Sequence, residues 1–388
     1  MGPQPAPLPE LRLVDHHCHG VLRTHPDRTA FEALLTESDA PAAPGTTFFD
    51  TQLGFAVRRL CPPLLGLDPH CAPEPYLARR RELGAEESGR RLLRAAGIAE
   101  FLVDTGLPGD LTEPRELAAL GGGRAREIVR LEHLAERCAD GIADTDDTAD
   151  TAAPERFVTA LATGIRSAAR TAAGFKSVAA YRHGLHLDPD EPHRDEVLRA
   201  AAHWLDGRST GTRLGDPVLL RHLLWSAART GLPLQLHTGF GDPDLRLQHS
   251  DPLLLTDFIK AVRPTGCTLV LLHGYPFHRN AGYLAHVFPH VYADVGLALT
   301  HTGARATAVL AELLELTPFG KLLFSTDGYG LPELYVVGAH LFREALAELT
   351  TALVASGAWS RPDADRVANM IASGNAQRVY GTTATATA

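Results

Sequence analysis

The feature that most constrains this chain is an alternation that runs almost its whole length. Short apolar runs are separated by longer amphipathic stretches. A short apolar run reads as a strand covered on both faces, and an amphipathic stretch reads as the helix that covers it, so the alternation predicts βα units around a parallel sheet. The runs predicted as strands are Leu11–His17, Ile98–Val103, Glu127–Leu131, Phe175–Ala179, Pro233–His237, Thr268–His273, Val291–Val295 and Lys321–Thr326. They number eight, which is what a closed barrel needs. The expected fold is therefore α/β, a (β/α)8 barrel of TIM type.

Several helix ends are readable. Asp216 followed by Pro217 is an N-cap with proline at the first helical position. Val218, Leu219, Leu223, Leu224 and Ala227 then follow a helical period, and Gly231 stands where a C-terminal cap belongs. Asp251-Pro252 starts a second helix in the same way, with Leu254, Leu255, Phe258 and Ile259 as its apolar face. Thr307–Leu316 and Leu341–Ala355 also read as helices. Two stretches, 21–96 and 182–213, exceed a minimal barrel. Long βα loops lie on the C-terminal face of a barrel, so both are expected to be pocket-shaping helical insertions within a single 1–388 domain. Ala139–Ala153 is rich in Asp, Thr and Ala and reads as an exposed loop. The tail Thr382–Ala388 reads as frayed.

A chain of 388 residues with 45% hydrophobic and 21% charged residues has ample material for one large core. The net charge of −9 comes with no basic patch to neutralise phosphates, so neither nucleic acid nor an anionic membrane is expected as a partner. Arg79, Arg80, Arg81, Arg90, Arg91 and Arg94 are interleaved with Glu82, Glu86 and Glu87, the pattern of a solvated helix face. The five cysteines are irregularly spaced and include no CxxC, which suits a reducing compartment. Met1–Glu10 is Pro-rich and lacks the basic-then-apolar order of a signal peptide, and no apolar run is long enough to span a bilayer. A cytoplasmic enzyme with a small-molecule substrate is the expectation. Barrels of this type often form homo-oligomers, though no feature here demands one.

The chemistry is concentrated at the strand ends. Asp15-His16-His17-Cys18-His19 closes the first run, and strand alternation puts Asp15, His17 and His19 on one face. His17 and His19 could thus reach one metal ion. Gln235 and His237 share a face at the fifth end, and His273 closes the sixth. Ser325 and Asp327 share a face at the eighth. In a barrel, inward residues at these ends converge on one volume. Each alone also suits a satisfied structural role; their joint occurrence at four ends points to a metal.

The order HxH, Lys, His, His, Asp resembles the amidohydrolase superfamily. Gly174-Phe175-Lys176-Ser177-Val178-Ala179-Ala180-Tyr181-Arg182 and the segment from Leu232 to Ala339 are similar to the FluG and nodulin-type amidohydrolase domain. That segment includes His237-Thr238-Gly239-Phe240-Gly241-Asp242, His273-Gly274-Tyr275-Pro276-Phe277 and Phe324-Ser325-Thr326-Asp327-Gly328-Tyr329. The likeness is dense in the second half and weakest over 21–96, and no glutamine-synthetase-like segment is expected after the barrel. The resemblance implies that His17, His19, His237 and Asp327 are metal ligands and that His273 is a second-metal ligand or a polarising residue. Lys176 falls where members with two metals carry a carbamylated lysine bridge; pairing with Glu132 or with an anionic substrate suits it equally. One or two divalent ions are implied, zinc first, with manganese or iron as alternatives.

Such an ion lowers the pKa of bound water to about 7. Asp327 would take the water's proton and pass it to the leaving amine, and the metal or His273 would stabilise the oxyanion. Candidate substrate-binding residues are Arg182, which could pair with a carboxylate, together with Gln235, Glu132 and Tyr329. Glu132 is also placed to orient Lys176 or Arg182. The implied reaction is hydrolysis of an amide, with a γ-glutamyl amide suggested by the family's glutamine-synthetase association. The alternative is non-oxidative decarboxylation of a small carboxylic acid on the same barrel.

Overall fold

The structure, a computed structural model, describes residues 11–143 and 152–381. The Pro-rich start Met1–Glu10, the tail from Thr382 and positions 144–151 of the acidic stretch lie outside the described residues. The strands are β1 (Leu13–Cys18), β2 (Ile98–Asp104), β3 (Arg124–Arg130), β4 (Gly174–Ser177), β5 (Leu234–Thr238), β6 (Leu269–His273) and β7 (Val291–Ala293), with helices in the connections. Their order follows the sequence, β1 to β7. The architecture is α/β with parallel strands, as the alternation predicts. The chain divides into two compact units, Met1–Arg126 with Ala293–Ala388, and Glu127–Tyr292.

In the first unit β1 pairs with β2 in parallel, from Leu13 opposite Ile98 to Cys18 opposite Val103. Every residue of β1 is buried, including Asp15, His16 and His17. The predicted eighth strand, Lys321–Thr326, is not a regular strand. It is reduced to a parallel bridge of Leu322 to Ala293, followed by extended chain. Leu323 N donates to Ala293 O at 3.0 Å, while His16 N donates to Phe324 O and Asp327 N to His17 O, each at 3.1 Å. The segment thus runs between the end of β7 and β1. Its ladder is broken because side chains take over backbone groups: Thr326 N donates to Asp15 Oδ1 at 3.0 Å and Gly328 N to Thr326 Oγ1 at 3.0 Å. The helix Pro332–Ala355 follows, with proline in its first turn, and buries Tyr335, Leu341, Phe342, Ala345 and Leu346. It begins nine residues before the predicted Leu341. Arg343 anchors it to the entrances of β1 and β2 through the carbonyls of Leu11, Ala96 and Gly97.

In the second unit β3, β4, β5 and β6 pair successively in parallel. Lys176 stands opposite Gln235, and Thr238 opposite His273. The helix Pro217–Ala228 starts as predicted: Asp216 Oδ1 accepts from the amides of Val218 and Leu219 at 2.9 and 3.0 Å. Its cap is Arg229, and Gly231 takes its left-handed conformation two residues later. The first part of the expected acidic loop is helical instead, within Leu131–Ala143. Leu131, Leu134, Ala135 and Ala139 continue a buried helical stripe that the polar composition around them obscures.

No helix of the described residues is long and apolar enough to cross a membrane. All five cysteines are reduced. Burial pushes the thiols of Cys18 and Cys61 far up and that of Cys267 up to about 12. A buried thiol that stays protonated is a poor nucleophile. Alkylation of the native protein at pH 8, followed by peptide mapping, is therefore expected to label Cys71 and Cys138 and to spare the other three; rapid labelling of Cys267 would contradict this placement.

Candidate metal centre

The end of β1 sets the first half of the site. His17 and His19 alternate onto one side, as strand parity requires. His19 Nδ1 meets the carbonyl of Asp104 at 2.9 Å, which fixes the ring and turns Nε2 toward Asp327. Asp327 Oδ1 lies 3.1 Å from His17 Nε2 and 3.4 Å from His19 Nε2. Ligand atoms bound at about 2.1 Å to one tetrahedral or octahedral ion are separated by about 3.0–3.4 Å, so these spacings fit a shared divalent ion. Asp104 lies beside both imidazoles, within 4.8 Å between ligand atoms. It lies just past Val103, the predicted end of the second strand; an acidic side chain at a strand end is the signal in the sequence that marks it.

Two backbone features hold Asp327 in place. Its φ is +51°, a region that costs most side chains energy but that Asp tolerates better than most. The residue that follows, Gly328, packs against Tyr335: a Cβ there would fall 2.5 Å from the ring. Tyr335 donates its hydroxyl to the carbonyl of His19 and reaches that of Gly328 at 3.2 Å, linking the turns that carry His19 and Asp327. Gly328→Ala is expected to destabilise the fold by about 1–3 kcal/mol through overpacking. Urea unfolding measures this; a loss under about 0.5 kcal/mol would show that the turn yields freely.

The residues of opposite parity are used differently. His16 bonds Asp294 Oδ2 at 2.5 Å and Tyr380 Oη at 3.1 Å, and is fully buried. Ser325 donates to the same Asp294 oxygen at 2.8 Å. Asp15, on the ligand side, is consumed by Thr326, whose amide and hydroxyl donate to it at 3.0 and 2.5 Å. Burial still pushes its carboxyl up to about 8. Tyr329 stands edge-on to His19, with centroids 6.1 Å apart, and burial raises its hydroxyl's pKa.

The second unit carries its own cluster. His237 and His273, at the ends of neighbouring strands, have ring centroids 4.7 Å apart, and Tyr181 lies 4.5 Å from His237. His273, like Asp327, has a left-handed φ, +67°. Two strand-end residues held in this uncommon conformation are a pointer to function. Lys176 and Gln235 are buried on paired strands. Glu132 accepts from Ser177 Oγ at 2.6 Å and Val178 N at 3.0 Å, so it braces the turn after Lys176, and burial raises its pKa. Arg182 is 9% exposed in its side chain and pairs with Glu136 at 3.3 Å, one helical turn beyond Glu132. Burial lowers its pKa, and its Nε and Nη1 have no hydrogen-bond partner among the described residues.

A family model described as amidohydrolase matches residues 68–382. Protein fluG of Emericella nidulans is 36% identical over 220 residues, which is 53% of this chain and 25% of that protein. The chain therefore spans far less than that protein's length. A solved structure from Lactobacillus casei ATCC 334, provisionally named a metal-dependent hydrolase, is 29% identical with a TM-score of 0.82 over 96% of each chain. Uronate isomerase of Thermotoga maritima shares the fold at 14% identity, with a TM-score of 0.60 over 96% of this chain and 95% of its own.

Proposed function

The chain belongs to the amidohydrolase family and is a hydrolytic enzyme, and from that premise we propose that it cleaves an amide C–N bond of a small molecule at a divalent-metal centre on a (β/α)8 barrel. The observation that carries this reading is the convergence of buried His17 and His19 on Asp327, with His19 aligned by the Asp104 carbonyl. We assign His17, His19 and Asp327 as ligands on that geometry. His237 and His273 are assigned as ligand and as ligand or polarising residue on the family order of residues alone. Zinc suits an imidazole-rich set, and manganese and iron are the alternatives.

A divalent ion held by these groups would supply Lewis acidity and acidify water. The Asp327 carboxylate accepts the proton of the attacking water and returns it to the leaving nitrogen, which departs as a neutral amine. His273 donates to the carbonyl oxygen as charge develops on it. Tyr329 shields one edge of His19 from solvent. Arg182, whose Nε and Nη1 have no hydrogen-bond partner among the described residues, offers positive charge and single N–H donors to a substrate carboxylate. Gln235 helps fill the interior of the barrel, and Glu132 holds the turn after Lys176. A γ-glutamyl amide, suggested by the family's association with glutamine-synthetase-like proteins, is the first substrate to try.

The test is metal content per chain on protein purified without added metal, together with release of amine from γ-glutamyl amides. One or two ions with amide hydrolysis is the expected result, and loss of one ion in Lys176→Ala would favour a carbamylated two-ion centre. Carbon dioxide release without amide cleavage would replace the reading by a decarboxylase. No metal, and no activity after metal addition, would end both.

A further inference from the structure

A cavity lies in the first unit, beside the bridge of Val21 to Gly330. It measures about 370 Å³, a size that suits a small organic molecule, and none of His17, His19 and Asp327 lines it. Val21, Leu22, Ala119, Leu120 and Pro332 form its apolar wall. Arg80 also lines it while being only 4% exposed.

Arg80 is fixed on one side only. Its Nε lies 2.8 Å from Glu333 Oε1, which also accepts the Tyr76 hydroxyl at 2.6 Å. The Phe31 ring lies 5.1 Å from its guanidinium carbon. These contacts set the plane of the guanidinium. Among the described residues, no hydrogen bond reaches Nη1 or Nη2. The fork of a guanidinium matches a carboxylate.

A separate element points the same way. The helix Ala85–Ala96 begins at Gly84, which carries no capping side chain, and Ala85 and Glu86 of that uncapped first turn line the cavity. A helix N-terminus favours negative charge. The first turn itself carries Glu86 and Glu87, and the wall also includes Glu116. Glu116 is neutralised by Arg23 at 2.6 Å, and the Glu86 side chain is exposed. Gly89, on the same helix, is buried, yet a Cβ on it would meet nothing within 4 Å, so its missing side chain leaves room in the cavity.

We propose that this cavity is a second small-molecule site that binds a monocarboxylate with an apolar body, its carboxylate on Arg80 and its tail against the Val21–Leu120 wall. The site does not depend on the reading of the metal centre.

Calorimetric titration with phenylbutyrate, and with phenylbutanol as the uncharged counterpart, tests it. Wild type is expected to bind phenylbutyrate at least about tenfold more tightly than the alcohol. Arg80→Gln and the cavity-filling Gly89→Leu, each checked for folding by circular dichroism, are both expected to weaken phenylbutyrate at least about tenfold. Because Arg80 also holds Glu333, Gly89→Leu is the decisive variant should Arg80→Gln fail to fold. Unchanged affinity in folded Gly89→Leu would mean that the carboxylate sits elsewhere, the metal centre included, and would overturn the proposal. So would equal affinity for the alcohol, or no binding by wild type.

Discussion

Asp327→Asn is expected to lower kcat/KM for amide hydrolysis by about 10³-fold while leaving the fold intact. The carboxylate lies 3.1 Å from His17 and 3.4 Å from His19, where it can carry a proton between water and leaving group, and losing positioned acid–base catalysis costs about 10²–10⁴-fold. Asparagine is isosteric and also tolerates the φ of +51°, so the turn survives the change. Kinetics on an amide substrate, with thermal unfolding as a control, decide the matter. Activity within about tenfold of wild type would remove Asp327 from proton transfer and leave it at most a ligand.

Chelation is expected to have a comparable effect. Removing the ion with a strong chelator should abolish activity, and zinc, manganese or ferrous iron should restore it. The melting temperature should fall in parallel. An ion that binds the native centre and not the unfolded chain adds RT ln(1 + [M]/Kd), about 4 kcal/mol when the free ion is a thousandfold above Kd. Two buried imidazoles converging on a largely buried carboxylate make a large coupling reasonable. Full activity and an unchanged melting temperature after verified metal removal would contradict a metal-dependent centre.

Much of this arrangement is legible in the sequence, because strand parity depends only on local spacing. Placing His17 and His19 on one side of β1 requires nothing beyond a two-residue period, and the capping of Pro217–Ala228 by Asp216 requires only neighbours. What the sequence does not reveal is where side chains replace backbone partners. The Lys321–Thr326 run has the composition of a strand, but Asp15 takes the amide of Thr326, so the ladder gives way to an irregular segment. That exchange joins residues 311 positions apart. Asp104 lies one residue beyond the predicted end of the second strand. Arg182 is similar: its position after β4 marks it as interesting, but its pairing with Glu136 depends on the helix that begins at Leu131. The helical start of the acidic stretch was hidden because a few buried alanines and leucines carry its periodicity among polar neighbours.

The bond between His16 and Tyr380 gives the centre a schedule. His16 stands next to His17, and its Nδ1 is held by a hydroxyl 364 residues further along the chain. At about 5–20 residues per second, a ribosome delivers that hydroxyl roughly 20–70 s after the histidine. Phe324 and Asp327, which bond the backbone of His16 and His17, also arrive late. His16 and His17 thus gain these partners only once the chain out to Phe324, Asp327 and Tyr380 has been made, whereas the pairing of β1 with β2 needs only the residues up to Asp104.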